Sequence, residues 1–395
     1  MSARAKRLAF IASHPIQYAV PLYRRLAQRD DLAIKVFYTW HSGTGPVMDR
    51  GFQAPILWDI PLTEGYEFAS VANVSADPGT HRFFGLDNPT LVDDVAAWRP
   101  DVVHVTGWAW RSHLEALRAF HRRGLPALFR GDSHLLDGTD AGPRWWAKRA
   151  LLSRVYAWPR GFLVAGSANR AYYERLGVEA ARLFPCPPSI DVGHFAGDAE
   201  ALEREAAEWR ASLGIAPAAT VLLFAGKFER KKRPVELMRA IEALGPSAPV
   251  LVLVGGGELQ AEIDALAAAH PSRFRVLPFA NQSRMPVVYR LADIFVLPSA
   301  YGESWGLAVN EALACGRPAL VSDRVGCAAD LIDAECGWVF PWADWGSLGR
   351  ILEGFDKNST LAQRMRSRAA ERARGFDVAV AEAAIVSTVF EVCAP

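Results

Sequence analysis

The chain has 395 residues, of which 51% are hydrophobic and 22% charged, with a net charge of +1. That size suits about two domains with proper cores and excludes a disordered or fibrous chain. An even balance of 44 cationic and 43 acidic side chains lacks the excess a nucleic-acid binder needs, and five scattered cysteines without a C-x-x-C pair argue against a disulfide framework or a zinc site.

A reducing compartment, the cytoplasm, fits that cysteine usage. Arg4, Lys6 and Arg7 precede an apolar run at 8–12 that is too short for the core of a signal peptide. No apolar stretch reaches the length of a membrane span, so the chain is expected to be soluble or peripheral.

Short apolar runs then alternate with longer amphipathic ones. Residues 8–13 read as a strand, 16–28 as a helix and 32–38 as a strand. Residues 102–105 form a strand after the break at Arg99-Pro100, and 113–122 form a helix ended by Gly124 and Pro126. Strands follow at 127–130 and 161–166. This β-α-β rhythm implies an α/β chain with parallel sheets wrapped by helices. Three prolines within 185–191 interrupt the rhythm and mark a domain boundary. A charged helix at 200–213 opens a second series. Its strands are expected at 221–226, 250–254, 274–277, 294–298 and 319–322. Its helices are expected at 234–243, 259–269, 285–292 and 305–315. The divisions are 1–190, 191–372 and a helical tail at 373–395 that packs back on the first domain. Two doubly wound domains place ligands outside the carboxyl ends of their strands.

Two segments at such ends carry chemistry. The first is Gly226-Lys227-Phe228-Glu229-Arg230-Lys231-Lys232-Arg233-Pro234, with five cations before a helix that Pro234 opens. Positive charge there would stabilise a diphosphate, above all one departing with extra negative charge. A solvated basic loop is the plain alternative for this segment taken alone. In the second, a strand ends at Pro298, a loop carries Glu303, and a helix opens near Gly306. Glu311 lies about a turn and a half inside that helix, and Gly316-Arg317-Pro318 ends it. Open N–H groups at a helix start suit an anion. The flanking carboxylates suit the hydroxyls of a ribose and a sugar.

In order along the chain, Gly226-Lys227-Phe228 with Lys232, Val254-Gly255-Gly256-Gly257-Glu258-Leu259, the stretch from Tyr289 to Ser299, the pair Glu303 and Glu311, and Gly316-Arg317-Pro318 resemble the family-four retaining glycosyltransferases. The resemblance covers most of the second half. It implies the GT-B fold, two facing Rossmann-like domains with a cleft between them, an amino-terminal acceptor domain and a carboxyl-terminal donor domain. It implies transfer of a sugar from a UDP- or GDP-sugar to a glycan or lipid-linked acceptor. Lys227 and Lys232 match the basic pair on the donor diphosphate, although the family more often has Arg where Lys227 stands. Glu303 matches the glutamate near the transferred sugar and Glu311 the ribose-binding one. Gly306 and Leu307 would offer amides to phosphate, and Phe279 would meet the base.

The first half matches less well. Its first loop, Ser13-His14-Pro15-Ile16-Gln17-Tyr18, stands where the family has glycines. His14, Gln17 and Tyr18 are read as acceptor-side residues, with a simple helix entry as the alternative for His14. Where the family has a histidine, this chain has Asp132, with His134 two residues on; either would meet sugar hydroxyls. Asp132 can also be read as a turn former beside Gly131. His104 is read as structural. Residues 143–158 mix cations with aromatics at helical spacing, a pattern suited either to an anionic membrane face or to plain packing.

No D-x-D pair occurs, so no metal and no other cofactor are expected, and the donor itself is a substrate. A nicotinamide enzyme would want G-x-G-x-x-G after its first strand, where His14-Pro15 stands instead. A sugar-nucleotide epimerase of the same fold and a non-catalytic sugar-nucleotide binder remain as alternatives.

Overall fold

Runs that are apolar on both faces build two parallel sheets. The computed structural model describes residues 4–40, 45, 47–137 and 142–394. They divide into two units. The first comprises Met1–Gly45, Pro61–Ser189 and Val378–Pro395, and the second Pro46–Ile60 and Ile190–Asp377.

The first unit holds seven parallel strands in the order Phe68–Ser70, Leu32–Tyr38, Lys6–Ala12, Val102–Thr106, Ala127–Arg130, Gly161–Val164, Leu183–Pro185. By position in the chain that is third, second, first, then fourth to seventh, the doubly wound order that starts in the middle and reverses once. The two-residue period of a strand sends its side chains into separate cores. Ala9 and Ile11 pack with Phe37, Val103 and Phe129. Leu8 and Phe10 pack on the opposite face with Val20, Tyr23, Ile385 and Val389.

The last two of those residues belong to the helix Val378–Val392, which completes this unit. Its Glu382 is nearly buried and accepts from Arg25 at 2.7 Å and Arg29 at 3.1 Å, both at the carboxyl end of the helix Val20–Ala27. That helix starts four residues later than the sequence pattern predicts. Pro21 lacks an amide and fits only a first turn, so Gln17, Tyr18 and Ala19 run as a turn before it.

The second unit holds six parallel strands in the same winding, in the order Phe274–Leu277, Val250–Gly256, Val221–Lys227, Ile294–Leu297, Ala319–Ser322, Gly337–Phe340. The strands Phe68–Ser70, Leu183–Pro185 and Gly337–Phe340 were not read from the sequence. Residues 46–60 need a correction. The sequence reading kept them within 1–190, but they cluster with the second unit and carry an antiparallel hairpin, Val47–Asp49 with Ala54–Ile56. Nothing local marks them as belonging there.

Buried charges staple the second unit. Asp293 is 3% exposed. It accepts from the Val221 amide at 2.9 Å and faces Arg366 at 3.0 Å and Arg210 at 3.5 Å. One carboxylate thus ties the start of the first strand to two helices, Ala199–Ser212 and Thr360–Arg374. Arg290, equally buried, donates to the carbonyls of Phe195, Ala196 and Pro286. Removing one partner of such a buried pair costs more than the pair contributes. Asp293→Ala is expected to lower unfolding free energy by about 3 kcal/mol in urea titration, and Asp293→Asn, which keeps an acceptor for Val221, by less.

Candidate functional site

In the second unit the strand order reverses between Val221–Lys227 and Ile294–Leu297, which pair directly. Loops leaving two such strands diverge and open a crevice at their carboxyl ends. The first of these strands ends in Gly226 and Lys227 and continues into the tight turn Arg230–Lys232. The neighbouring loop carries Glu303. Lys232 Nζ donates to Glu303 Oε2 at 2.6 Å, and the Ser299 hydroxyl reaches the same oxygen at 3.2 Å. The Ala300 amide donates to the Lys231 carbonyl at 2.8 Å, so backbone and ion pair together join the two loops. Burial alone would raise the Glu303 carboxyl. The Lys232 ammonium outweighs it, with help from Lys231 and Ser299, and holds the group below its ordinary value.

The five cations of this segment separate in the fold. Arg233 adopts a left-handed backbone, φ +56°, which costs a non-glycine residue about 1 kcal/mol. Its guanidinium lies 4.5 Å from the ring of Trp345 and 5.3 Å from that of Trp342, stacking that offsets the strain. Lys231 pairs with Glu229 at 3.2 Å and Lys227 with Asp49 at 2.9 Å. Arg230 is exposed. Lys232 is the one that meets Glu303, and its stem packs over Gly226.

Gly306 opens the helix Leu307–Ala314 with φ +95°. A Cβ there would lie 3.0 Å from both Leu297 and Val325, so backbone angle and space both require glycine. No side chain caps this helix, and Leu307 is half-buried. Uncapped amides at a helix start attract an anion. Glu311, on the fifth residue of the helix, is 3% exposed. Its Oε2 accepts from the Tyr289 hydroxyl, while Oε1 is buried without a partner among the described residues. Burial pushes the carboxyl from 4.5 to about 7, against the pull of Tyr289. Phe279 follows the strand Phe274–Leu277 and meets the rings of Phe52 at 4.8 Å and Trp58 at 5.8 Å.

In the first unit, His14, Gln17 and Tyr18 leave the end of the central strand Lys6–Ala12. His14 Nδ1 lies 2.9 Å from the Ser13 hydroxyl, and its ring meets Trp40 edge-on at 5.5 Å. Asp132 is exposed in the loop after Ala127–Arg130. His134 turns Nδ1 back to accept from the Leu136 amide at 3.2 Å. Buried Asn169 donates to the carbonyls of Gly131 at 3.0 Å and Ser133 at 2.7 Å, and the Tyr173 hydroxyl exchanges hydrogen bonds with Gly131. The backbone is therefore held at Gly131 and at Ser133, the residues on either side of Asp132. His104 is buried and pushed down to about 3, a neutral packing residue.

Residues 205–372 match the family described as Glycosyl transferases group 1. That match takes in less than half of the chain. The chain is similar to a phosphatidyl-myo-inositol mannosyltransferase of Mycobacterium leprae, 29% identical over 34% of the chain and 35% of the relative. It is also similar to a D-inositol 3-phosphate glycosyltransferase of Streptomyces avermitilis, 33% identical over 33% of the chain and 28% of the relative. Those matches thus span about a third of the curated relatives. The fold of the whole chain is that of HepE from Anabaena, solved with UDP: TM-score 0.72 and 17% identity over 98% of this chain and 100% of that one.

The second unit therefore brings Gly226, Lys232, Glu303 and Gly306 to one switch point and sets Glu311 on the helix that Gly306 opens. It leaves Lys227 engaged by Asp49. Sequence reasoning missed Asp49, whose contact with Lys227 spans most of two hundred residues, and gave no part to Ser299 and Tyr289, although both lie in the stretch that carries the resemblance. The folded Glu311 binds its proton more tightly than an unfolded chain would. Its stabilising contribution is complete below about 4.5 and lost as pH rises through about 7. The neutral variant Glu311→Gln is expected to gain thermal midpoint relative to the wild type between pH 5 and pH 8, by differential scanning fluorimetry; an equal difference at both values would deny the shift.

Proposed function

We propose that the protein is a retaining glycosyltransferase that moves a sugar from a UDP- or GDP-sugar to a hydroxyl of a glycan or lipid-linked saccharide, without a metal. The observation that carries this reading is Lys232 paired with Glu303 at the switch point, beside an uncapped helix start. Lys232, Lys227 and the Gly306 and Leu307 amides receive the diphosphate. The ribose hydroxyls donate to Glu311, whose Oε1 lacks a partner among the described residues. Phe279 meets the base, and Glu303 faces the transferred sugar.

In the reaction the bond from the sugar's anomeric carbon to the phosphate oxygen breaks, and its electron pair leaves with the diphosphate. The acceptor oxygen bonds the same carbon on the same face. Its proton passes to the departing phosphate oxygen. The chain's part is to hold the substrates and neutralise developing charge. Lys232 suits this because its present partner, Glu303, remains ionised and keeps the ammonium in place.

Acceptor binding is assigned to the first unit, with His14, Gln17 and Tyr18 at its central loop. Asp132 is assigned to sugar hydroxyls in preference to His134, whose Nδ1 is turned to its own turn. HepE solved with UDP supports a uridine donor, and the mannosyltransferase relative, named for phosphatidyl-myo-inositol, supports a lipid-linked acceptor. No helix among the described residues is long and apolar enough to cross a membrane. The helix Gly142–Val155 buries Trp145 and Leu152 and exposes Trp146 and Leu151 near Lys148 and Arg149, which suits contact with a headgroup surface.

The test is release of nucleoside diphosphate from UDP-, GDP- and ADP-sugars in EDTA. Wild type is expected to turn over one donor, and Lys232→Ala to lose about 100-fold in kcat. Neither turnover nor thermal stabilisation by any sugar nucleotide would overturn the reading.

A further inference from the structure

The strap 47–60 lies against the part of the second unit assigned above to the donor, and its chemistry imitates part of that donor. Asp49 Oδ1 faces Lys227 Nζ at 2.9 Å and accepts from the amides of Gly51 at 2.8 Å and Phe52 at 3.1 Å. Burial would raise this carboxyl, but Lys227 and the two amides outweigh it and hold it ionised below its ordinary value. The approach is close: a Cβ on Gly51 would lie 2.5 Å from Lys227 Cδ and 2.9 Å from Glu229 Oε1. The Lys227 ammonium also sits 5.2 Å from the Phe52 ring, whose other neighbour is Phe279.

Farther along, Asn281 donates to the Leu57 carbonyl at 2.6 Å, and the Ser283 amide donates to Asp59 at 3.1 Å. The strap thus runs from the end of the strand Val221–Lys227 to the loop after Phe274–Leu277. It engages the residues assigned above to the diphosphate and the base. Glu303 and Gly306 follow the neighbouring strand Ile294–Leu297, on the other side of the reversal.

We propose that Asp49 is a built-in competitor for the donor's diphosphate. Its carboxylate holds Lys227 in the empty protein, and donor binding displaces the strap. This rests on the assignment of Lys227 to the diphosphate. A phosphate oxygen that takes Lys227 comes within about 6 Å of the carboxylate, a distance at which like charges disfavour one another. The phosphate must therefore expel Asp49 or bind more weakly beside it. A base seated on Phe279 meets the same obstacle in Phe52 and Trp58. The group freed on displacement is a charged side chain, 27% exposed, that water can receive.

The experiment titrates UDP, GDP and ADP calorimetrically into full-length wild type and Asp49→Asn, with Asp49→Ala as a second variant and thermal midpoints recorded for each. Asn keeps an acceptor for the Gly51 and Phe52 amides and removes the charge. The nucleotide that wild type binds is expected to bind Asp49→Asn about three- to tenfold more tightly. Hydrogen exchange at 47–60 in wild type is expected to speed up when that nucleotide saturates the site. Equal or weaker binding by both variants, or protection of 47–60 by nucleotide, would overturn the competitor and make the strap a clamp, leaving the transferase reading intact. Binding of none of the three nucleotides by any of the proteins would overturn both.

Discussion

The pairing of Lys232 with Glu303 joins the two loops that leave the second sheet on either side of its reversal, and the rest of the site is arranged around that join. Neither side chain is more than one-sixth exposed. A salt bridge so placed is a poor source of net stability, but it fixes where a cation stands. The backbone bond from Ala300 to Lys231 holds the same two loops independently, and that from Gly326 to Glu303 ties the Glu303 loop to the one after Ala319–Ser322. The ammonium is therefore positioned before any ligand arrives, the condition under which a fixed charge stabilises a departing anion without reorganisation.

Two glutamates eight residues apart end in opposite states. Glu303 stays ionised because a cation faces it, whereas Glu311 is pushed to about 7 because burial leaves one of its oxygens without a partner among the described residues. An ionised carboxylate accepts hydrogen bonds more strongly than a neutral acid. Hydroxyls brought to Glu311 would thus favour its ionised form and draw its titration downward. The helix that carries it cannot shift to relieve the burial. Its start is locked by Gly306, and the neighbouring Arg290 and Asp293 staple the elements on which it packs.

Much of the second unit was legible in the sequence. Its strands are apolar on both faces, and its turns are marked by residues with few other uses: Pro234 at a first helical turn, Gly306 at a left-handed one, Gly316 at a helix end. The doubly wound order followed from the alternation. The assignment of the cations did not. Five within seven residues read alike, yet Arg233 turns to Trp342 and Trp345 more than a hundred residues on, and Lys227 turns to Asp49 from far upstream. The strap 47–60 was invisible for the same reason. Its hairpin is three residues a side, and its partners lie beyond residue 220.

The first unit resisted reading for a different reason. The side chains that shape its loops are not in those loops. Asp132 carries no local signal beyond a neighbouring glycine, and what gives it a fixed place is Asn169 with Tyr173, on the helix Ser167–Arg175. A buried amide with its hydrogen bonds made to two carbonyls sets a backbone more firmly than turn propensity does, because breaking it strands polar atoms away from water. A sequence pattern records what a residue prefers by itself; a loop of this kind is set by what a distant residue would lose. Chemistry that depends on the sheet's winding can therefore be read from spacing, whereas chemistry on loops held in this way becomes readable only when the fold brings the holder and the held together.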